Sequence, residues 1–207
     1  RTTINWSDIL KIRPDMKLPR SVFPHMTLRN LLKFFTVTFF RLRREGLENV
    51  RTGPVIIAAN HQSFLDWAFI ASSLPARTLR KTVVFAKKKH FWSWWRKWMA
   101  SRSNIVLIDI NNELQDSIRK MGEVLRKGYN LAIFPEGTRS RDGHIGEFKK
   151  TFSILSKELD VPVVPVVIKG AREAMPGGSW FIRPFRRIKV RFLKPVSPDG
   201  KGYEEFT

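Results

Sequence analysis

The chain has 207 residues, enough for a single domain with a substantial core. It contains no cysteine, which excludes disulfides, cysteine–zinc sites and thiol nucleophiles. Lys and Arg number 38 against 18 Asp and Glu, and the resulting charge of +20 points to an anionic partner surface, either phospholipid headgroups or nucleic acid.

Residues 1–26 show no sustained periodicity and read as an irregular, basic lead-in. From Thr27 to Arg44 the pattern changes: Leu28, Leu31, Leu32, Phe35, Phe39 and Leu42 recur at helical spacing, with Thr27 as N-cap. The run is too short to span a bilayer, and Arg29 and Lys33 interrupt it. A buried core helix and an interfacial amphipathic helix with basic flanks both fit. Val55 to Ala59 is a short apolar run that stops at a polar pair, Asn60-His61, with a helix over Trp67–Leu74 beginning soon after. That is a strand-to-helix corner, the place where open α/β sheets hold their ligands.

A second strand, Thr82 to Ala86, runs into Lys87–Met99, where four tryptophans stand among basic residues. Core packing, a membrane headgroup contact and a stacking platform for single-stranded nucleic acid are all open to such a segment. Asn104 to Ile110 is a third strand, and Asn111 to Lys127 an amphipathic helix closed by Gly128. Leu131 to Phe134 is a fourth strand, ending in the polar loop Pro135 to Gly143. A helix over Phe148–Leu159 follows, then a strand from Val161 to Ile168 whose two prolines predict an edge or distorted position. Residues 171–187 read as loop and Ile188 to Val196 as a final strand. Regular alternation of strands and helices predicts a layered α/β domain around a largely parallel or mixed sheet.

Three strand ends carry polar clusters: Asn60 to Asp66, Pro135 to Gly143, and Lys169 to Arg172. In a parallel sheet they share one edge, so they can converge. On a continuous helix His61 and Asp66 would lie about 140° apart. They meet only if His61 sits on the turn and Asp66 in the first helical turn, where the carboxylate can accept one ring N–H and leave the other nitrogen as a base. Taken alone, a structural histidine near a helix start fits the pair as well. In the second cluster, Gly137 allows a tight turn, Thr138 offers a hydroxyl, Arg139 a fork for phosphate or carboxylate, and Glu136 a partner for that arginine or for a substrate hydroxyl. A structured surface loop with a solvated arginine is the plain alternative. No nucleophile elbow, P-loop or dinucleotide fingerprint is present, and the other histidines make no metal-ligand spacing.

The two blocks Asn60-His61-Gln62-Ser63-Phe64-Leu65-Asp66 and Phe134-Pro135-Glu136-Gly137-Thr138-Arg139-Ser140, in this order, resemble the glycerolipid acyltransferases of the 1-acylglycerol-3-phosphate O-acyltransferase type. Val161 to Val166 is similar to that family's proline-bearing hydrophobic block. The likeness covers residues 45–196. It implies that His61 is the general base that deprotonates an acceptor hydroxyl and that Asp66 orients it. Glu136, Gly137, Thr138 and Arg139 are implied to bind the acceptor. The donor implied is an acyl thioester, acyl-CoA or acyl-carrier protein, and no cofactor or metal is implied. Where the family's intermediate block ends in Ile-Asp-Arg, this chain has Ile108-Asp109-Ile110. The acceptor expected is therefore lysophosphatidate or another lysophospholipid, with Lys87 to Lys89 as a substitute source of charge.

The expected division is 1–44, a basic lead-in and membrane-contact helix, and 45–207, an acyltransferase domain. The expected setting is a phospholipid membrane surface, monotopic on the cytoplasmic face, with no nucleic-acid partner. A non-enzymatic membrane-binding or nucleic-acid-binding module is the alternative reading of the same charge. The start at Arg1 and the character of Tyr203 to Thr207 read as a piece of a longer protein.

Overall fold

The computed structural model describes residues 5–16, 23–50, 53–87, 104–108, 114–140, 142–176 and 181–199. Seven strands form one sheet: β1 (Arg43–Glu45), β2 (Ile56–Ala59), β3 (Thr82–Lys87), β4 (Ile105–Ile108), β5 (Asn130–Ile133), β6 (Val163–Lys169) and β7 (Lys189–Phe192). Their order across the sheet is β1-β7-β6-β2-β5-β3-β4. Every neighbouring pair is parallel except β6 and β7, so the sheet is mixed, as the alternating elements predict.

The helices are α1 (Trp6–Lys11), α2 (Phe23–Phe39), α3 (Asp66–Ser73), α4 (Ala76–Arg80), α5 (Leu114–Arg126), α6 (Thr151–Leu159) and the single turn α7 (Ala171–Ala174). Side chains on a strand alternate between faces, and β2 shows the consequence. Ile57 and Ala59 join a core with Phe40, Phe69, Ile70 and Leu74, on the side of α2 and α3. Ile56 joins a second core with Leu10, Ile118, Met121, Leu125 and Leu155, on the side of α1, α5 and α6. The sheet is thus the middle of three layers.

Four expectations are corrected. The lead-in is not wholly irregular: α1 forms because the Asn5 side chain caps it by accepting from Ser7 N–H. Guanidinium groups of Arg119 and Arg126 on α5 then donate to its carbonyls at Ile9 and Leu10. The helix expected from Thr27 to Arg44 instead runs from Phe23 to Phe39, with Pro24 in the first turn, where no N–H is needed. Its expected tail, Arg43 and Arg44, forms with Glu45 a strand beside β7, joined to it by ion pairs of Glu45 with Lys189 and Arg191. Third, Pro75 starts the short helix α4, where the sequence pattern suggests no element.

Finally, β6 is not an edge strand. It lies between β7 and β2, with Pro165 in register with Ala58. In a strand, the N–H and C=O of one residue point to the same neighbour. The Pro165 carbonyl accepts from Leu193 N–H, just past the end of β7. Beyond it the pairing resumes one residue out of step, with Val163 and Val196 exchanging hydrogen bonds, so the strand is distorted at Pro165, as the alternative expectation has it, and one hydrogen bond at most is forgone.

Among the described residues no helix is long and apolar enough to cross a membrane. The tryptophan-rich stretch after Lys87 and the Asp109-Ile110 pair lie outside the described residues.

Candidate active site

β2 lies between β6 and β5 and is parallel to both, so the polar clusters that follow these three strands share one edge of the sheet. Asn60 closes the gap between two of them. Its side chain donates to Ile168 C=O at 3.0 Å and accepts from Ile168 N–H at 2.7 Å, tying the end of β2 to the end of β6.

The chain turns after Asn60, and α3 begins at Asp66. This is the arrangement in which a histidine and an acid five apart can meet. His61 Nδ1 lies 2.9 Å from Asp66 Oδ2. A carboxylate only accepts, so Nδ1 carries the hydrogen of the neutral ring and Nε2 is left with its lone pair. The same Asp66 Oδ2 accepts from Gln62 N–H at 2.7 Å and from Ser63 N–H at 2.8 Å. One fully buried oxygen thus fixes both the turn and the imidazole on it. The other, Oδ1, is buried without a hydrogen-bond partner. The His61 ring stacks on Phe134 at 4.3 Å between centroids, with an interplanar angle of 24°. Its side chain keeps 23% exposure.

The second block is brought to the same place. Glu136, 8% exposed, is a bridge: Oε1 accepts from His61 N–H at 2.8 Å and Oε2 from Gly146 N–H at 3.0 Å. Ser140 N–H returns a bond to His61 C=O at 2.7 Å. Gln62 Nε2 donates to Gly143 C=O at 3.2 Å. The histidine turn and the loop after β5 are therefore one hydrogen-bonded body. Gly137 has φ of +70°, and a Cβ there would stand 2.9 Å from Lys149 Cε and Nζ. Glycine is favoured here by the left-handed backbone, and the flexible end of Lys149 crosses the space beside it.

Thr138 is exposed and Arg139 half-buried at the loop's tip. Arg139 and Lys149 have no ion pair among the described residues, so two cations stand at the site without an acidic neighbour claiming them. Asp142 is used within the loop instead. The His144 backbone N–H and then the Ser140 hydroxyl hold its carboxyl below the usual carboxylate range. The third cluster closes the rim, with Arg172 Nη1 donating to Asp142 C=O at 2.8 Å.

His61, Asp66, Glu136, Gly137, Thr138 and Arg139, the residues singled out in the sequence, thus lie together along one edge. Asn60, Gln62 and Phe134 stand within the two sequence blocks but without the roles they play here, and Lys149 lies outside both. Nothing in the spacing of Lys149, twelve positions beyond Gly137, marks it. Asn60 adjoins His61, but its partner is 108 residues away.

Comparison with known proteins identifies the family. A family profile described as Acyltransferase matches residues 41–169. A chloroplastic 1-acyl-sn-glycerol-3-phosphate acyltransferase of Arabidopsis thaliana is 30% identical over 86% of this chain and 49% of its own length. A 1-acyl-sn-glycerol-3-phosphate acyltransferase of Cocos nucifera is 31% identical over 96% of this chain and 64% of its own length. The chain thus spans about half to two thirds of these relatives. The crystal structure of the 1-acyl-sn-glycerophosphate acyltransferase PlsC from Thermotoga maritima superposes with a TM-score of 0.68 at 26% identity, covering 88% of this chain and 74% of that one. On the profile match, which takes in both polar blocks of the site, this chain belongs to the acyltransferase family.

Proposed function

We propose that this chain moves a fatty acyl group from a thioester to the free hydroxyl of a lysophospholipid, with 1-acylglycerol-3-phosphate as the first candidate. The observation that carries the reading is the His61–Asp66 pair at 2.9 Å, which engages Nδ1 and not Nε2, on the same edge of the sheet as Arg139 and Lys149. His61 Nε2 takes the proton of the acceptor hydroxyl as its oxygen attacks the thioester carbonyl. The C–O bond forms, the C–S bond breaks, and the imidazolium returns the proton to the leaving sulfur. Asp66 stabilises the imidazolium and holds the ring. A positioned base of this kind contributes roughly 10²–10⁴-fold in rate.

Arg139 and Lys149 supply the charge for the acceptor phosphate, with the Thr138 hydroxyl completing that contact and Gly137 giving the turn that presents them. Glu136 serves the acceptor site by holding His61 N–H and Gly146 N–H in place. The thioester is already activated, so proton transfer is the main task left to the side chains. The donor is acyl-CoA or acyl-carrier protein. The acceptor sits in a bilayer, and the chain meets it from one side, without a spanning helix among the described residues. On α2, Leu31, Phe34 and Val37 are exposed at three-residue intervals, an outward apolar face suited to the headgroup boundary.

Product analysis with both donors and a panel of lysophospholipids tests the reading. Wild-type protein is expected to acylate lysophosphatidate, and His61→Ala to lose nearly all turnover while keeping its circular dichroism spectrum. A folded His61→Ala protein with wild-type activity would overturn the base assignment. Acylation of a neutral lysophospholipid in preference to lysophosphatidate would overturn the acceptor.

A further inference from the structure

The turn of direction between β6 and β7 has a consequence for where this protein meets lipid. β6 ends at Lys169, on the edge that carries His61, and β7 starts at Lys189 in register with it. Because β7 runs antiparallel to β6, the connection between them begins and ends at that edge. β1 is parallel to β7 with Arg43 in register with Lys189, so the chain leaving α2 arrives there too.

Residues 181–187 of this connection, Phe-Ile-Arg-Pro-Phe-Arg-Arg, are exposed throughout. Phe181 is 83%, Ile182 43% and Phe185 68% exposed. They are not held loosely. Phe185 N–H donates to Phe39 C=O at 2.5 Å, and the two rings lie 6.3 Å apart, while Arg183 N–H donates to Ala174 C=O at 2.7 Å. The backbone is thus pinned to α2 on one side and to the α7 turn on the other, with large apolar side chains presented outward. Arg183, Arg186 and Arg187 alternate with them, and none has an ion pair among the described residues. Phe64, inside the histidine turn, is 62% exposed at the same edge.

We propose that residues 181–187 are a membrane-penetrating loop that seats the catalytic edge on an anionic phospholipid bilayer. Phe181, Ile182 and Phe185 enter the headgroup–acyl boundary, and the three arginines sit on lipid phosphates. The charge selects this occupant: a second copy of a chain carrying +20 would meet its own sign, whereas an anionic leaflet complements it. The loop is joined to the end of α2 by the Phe39–Phe185 contact. The inference rests on the reading that the acceptor is a membrane lysophospholipid. It adds the surface that brings the acceptor hydroxyl to Nε2 without extracting the lipid.

The absence of cysteine makes the test direct. Ile182→Cys is labelled with an environment-sensitive fluorophore, and Leu193→Cys, past the far end of β7, serves as the control. With vesicles of phosphatidylcholine and phosphatidylglycerol, the label at position 182 is expected to shift to the blue and be quenched by acyl-chain spin labels, and that at 193 to remain unquenched. Two further variants, Phe181→Ser with Ile182→Ser and Arg186→Gln with Arg187→Gln, are expected to bind these vesicles at least about tenfold more weakly. They should lose activity on vesicle-embedded acceptor in parallel, yet match wild type on a short-chain, monomeric acceptor. An unquenched label at 182, or double variants that sediment with vesicles like wild type, overturns the proposal. So does a loss of vesicle binding that is accompanied by loss of a wild-type dimer, which would make the loop a self-association surface. If wild type acylates neither form of acceptor, the proposed reaction fails instead, and quenching at 182 still reports on the loop.

Discussion

Glu136 offers the most discriminating perturbation, because its carboxylate can serve the acceptor either by touching it or by holding the histidine turn. Both oxygens accept a backbone N–H, from His61 at 2.8 Å and from Gly146 at 3.0 Å, in surroundings only 8% exposed. Glu136→Gln preserves shape but replaces one accepting oxygen by an NH₂ group. Whichever way the amide settles, one backbone N–H then faces a donor, and the other bond falls from charge-assisted to neutral. A bond to a charged group contributes about 1.5–3 kcal/mol against about 1 for a neutral one, and a buried unsatisfied donor costs about 1–3. The combined loss is about 2–4 kcal/mol of stability, visible as a lower urea midpoint at unchanged slope. In steady-state kinetics, a released His61 N–H lets the imidazole drift from its place, and a misplacement of about 1 Å costs on the order of 10²-fold in rate. The expected result is therefore a fall in kcat with the acceptor KM nearly unchanged. A raised acceptor KM with kcat retained and an unaltered urea midpoint would refute the positioning argument and make Glu136 a direct acceptor contact.

Asp66→Asn removes the charge from an oxygen that takes His61 Nδ1–H and two backbone N–H groups, and places an NH₂ where Oδ1 has no partner. Activity is expected to fall by roughly 10²–10⁴-fold, with a stability loss of about 1–3 kcal/mol read by denaturant melts. Near-wild-type turnover would remove Asp66 from the mechanism. Gly137→Ala forces a side chain into φ of +70°, so thermal melting should show a loss of about 1–2 kcal/mol, and an unchanged melt would show that the loop shifts freely. Arg139→Gln with Lys149→Gln should raise the KM for lysophosphatidate at least about tenfold if these cations bind its phosphate. The same pair should leave a neutral lysophospholipid's KM unchanged, and equal effects on both acceptors would place the phosphate elsewhere.

What the sequence revealed and what it hid divide along range. His61 and Asp66 are five residues apart, and a short apolar strand followed by a helix start leaves them one way to meet, so their contact follows from local spacing. The sheet was legible for the same reason: Val83, Ile57 and Leu131 sit in runs whose burial is written in consecutive residues. Arg43 to Glu45 offered no such run. Arg43 and Arg44 after an apolar helix look like its tail, and Lys189 and Arg191, about 145 positions later, hold the adjoining Glu45 in a strand. α1 is six residues long, too short to hold by propensity, and depends on Arg119 and Arg126 of α5. Pro165 misled because its cost depends on which neighbour its missing N–H would have faced, a fact of sheet order. In the site the division is sharpest at Glu136. Its block is recognisable in the sequence, yet what it does is set by His61 N–H, 75 residues upstream, and by Gly146 N–H across the loop. A motif can thus name the residues of a site without showing which of them face the substrate, because facing is decided by partners that spacing does not encode.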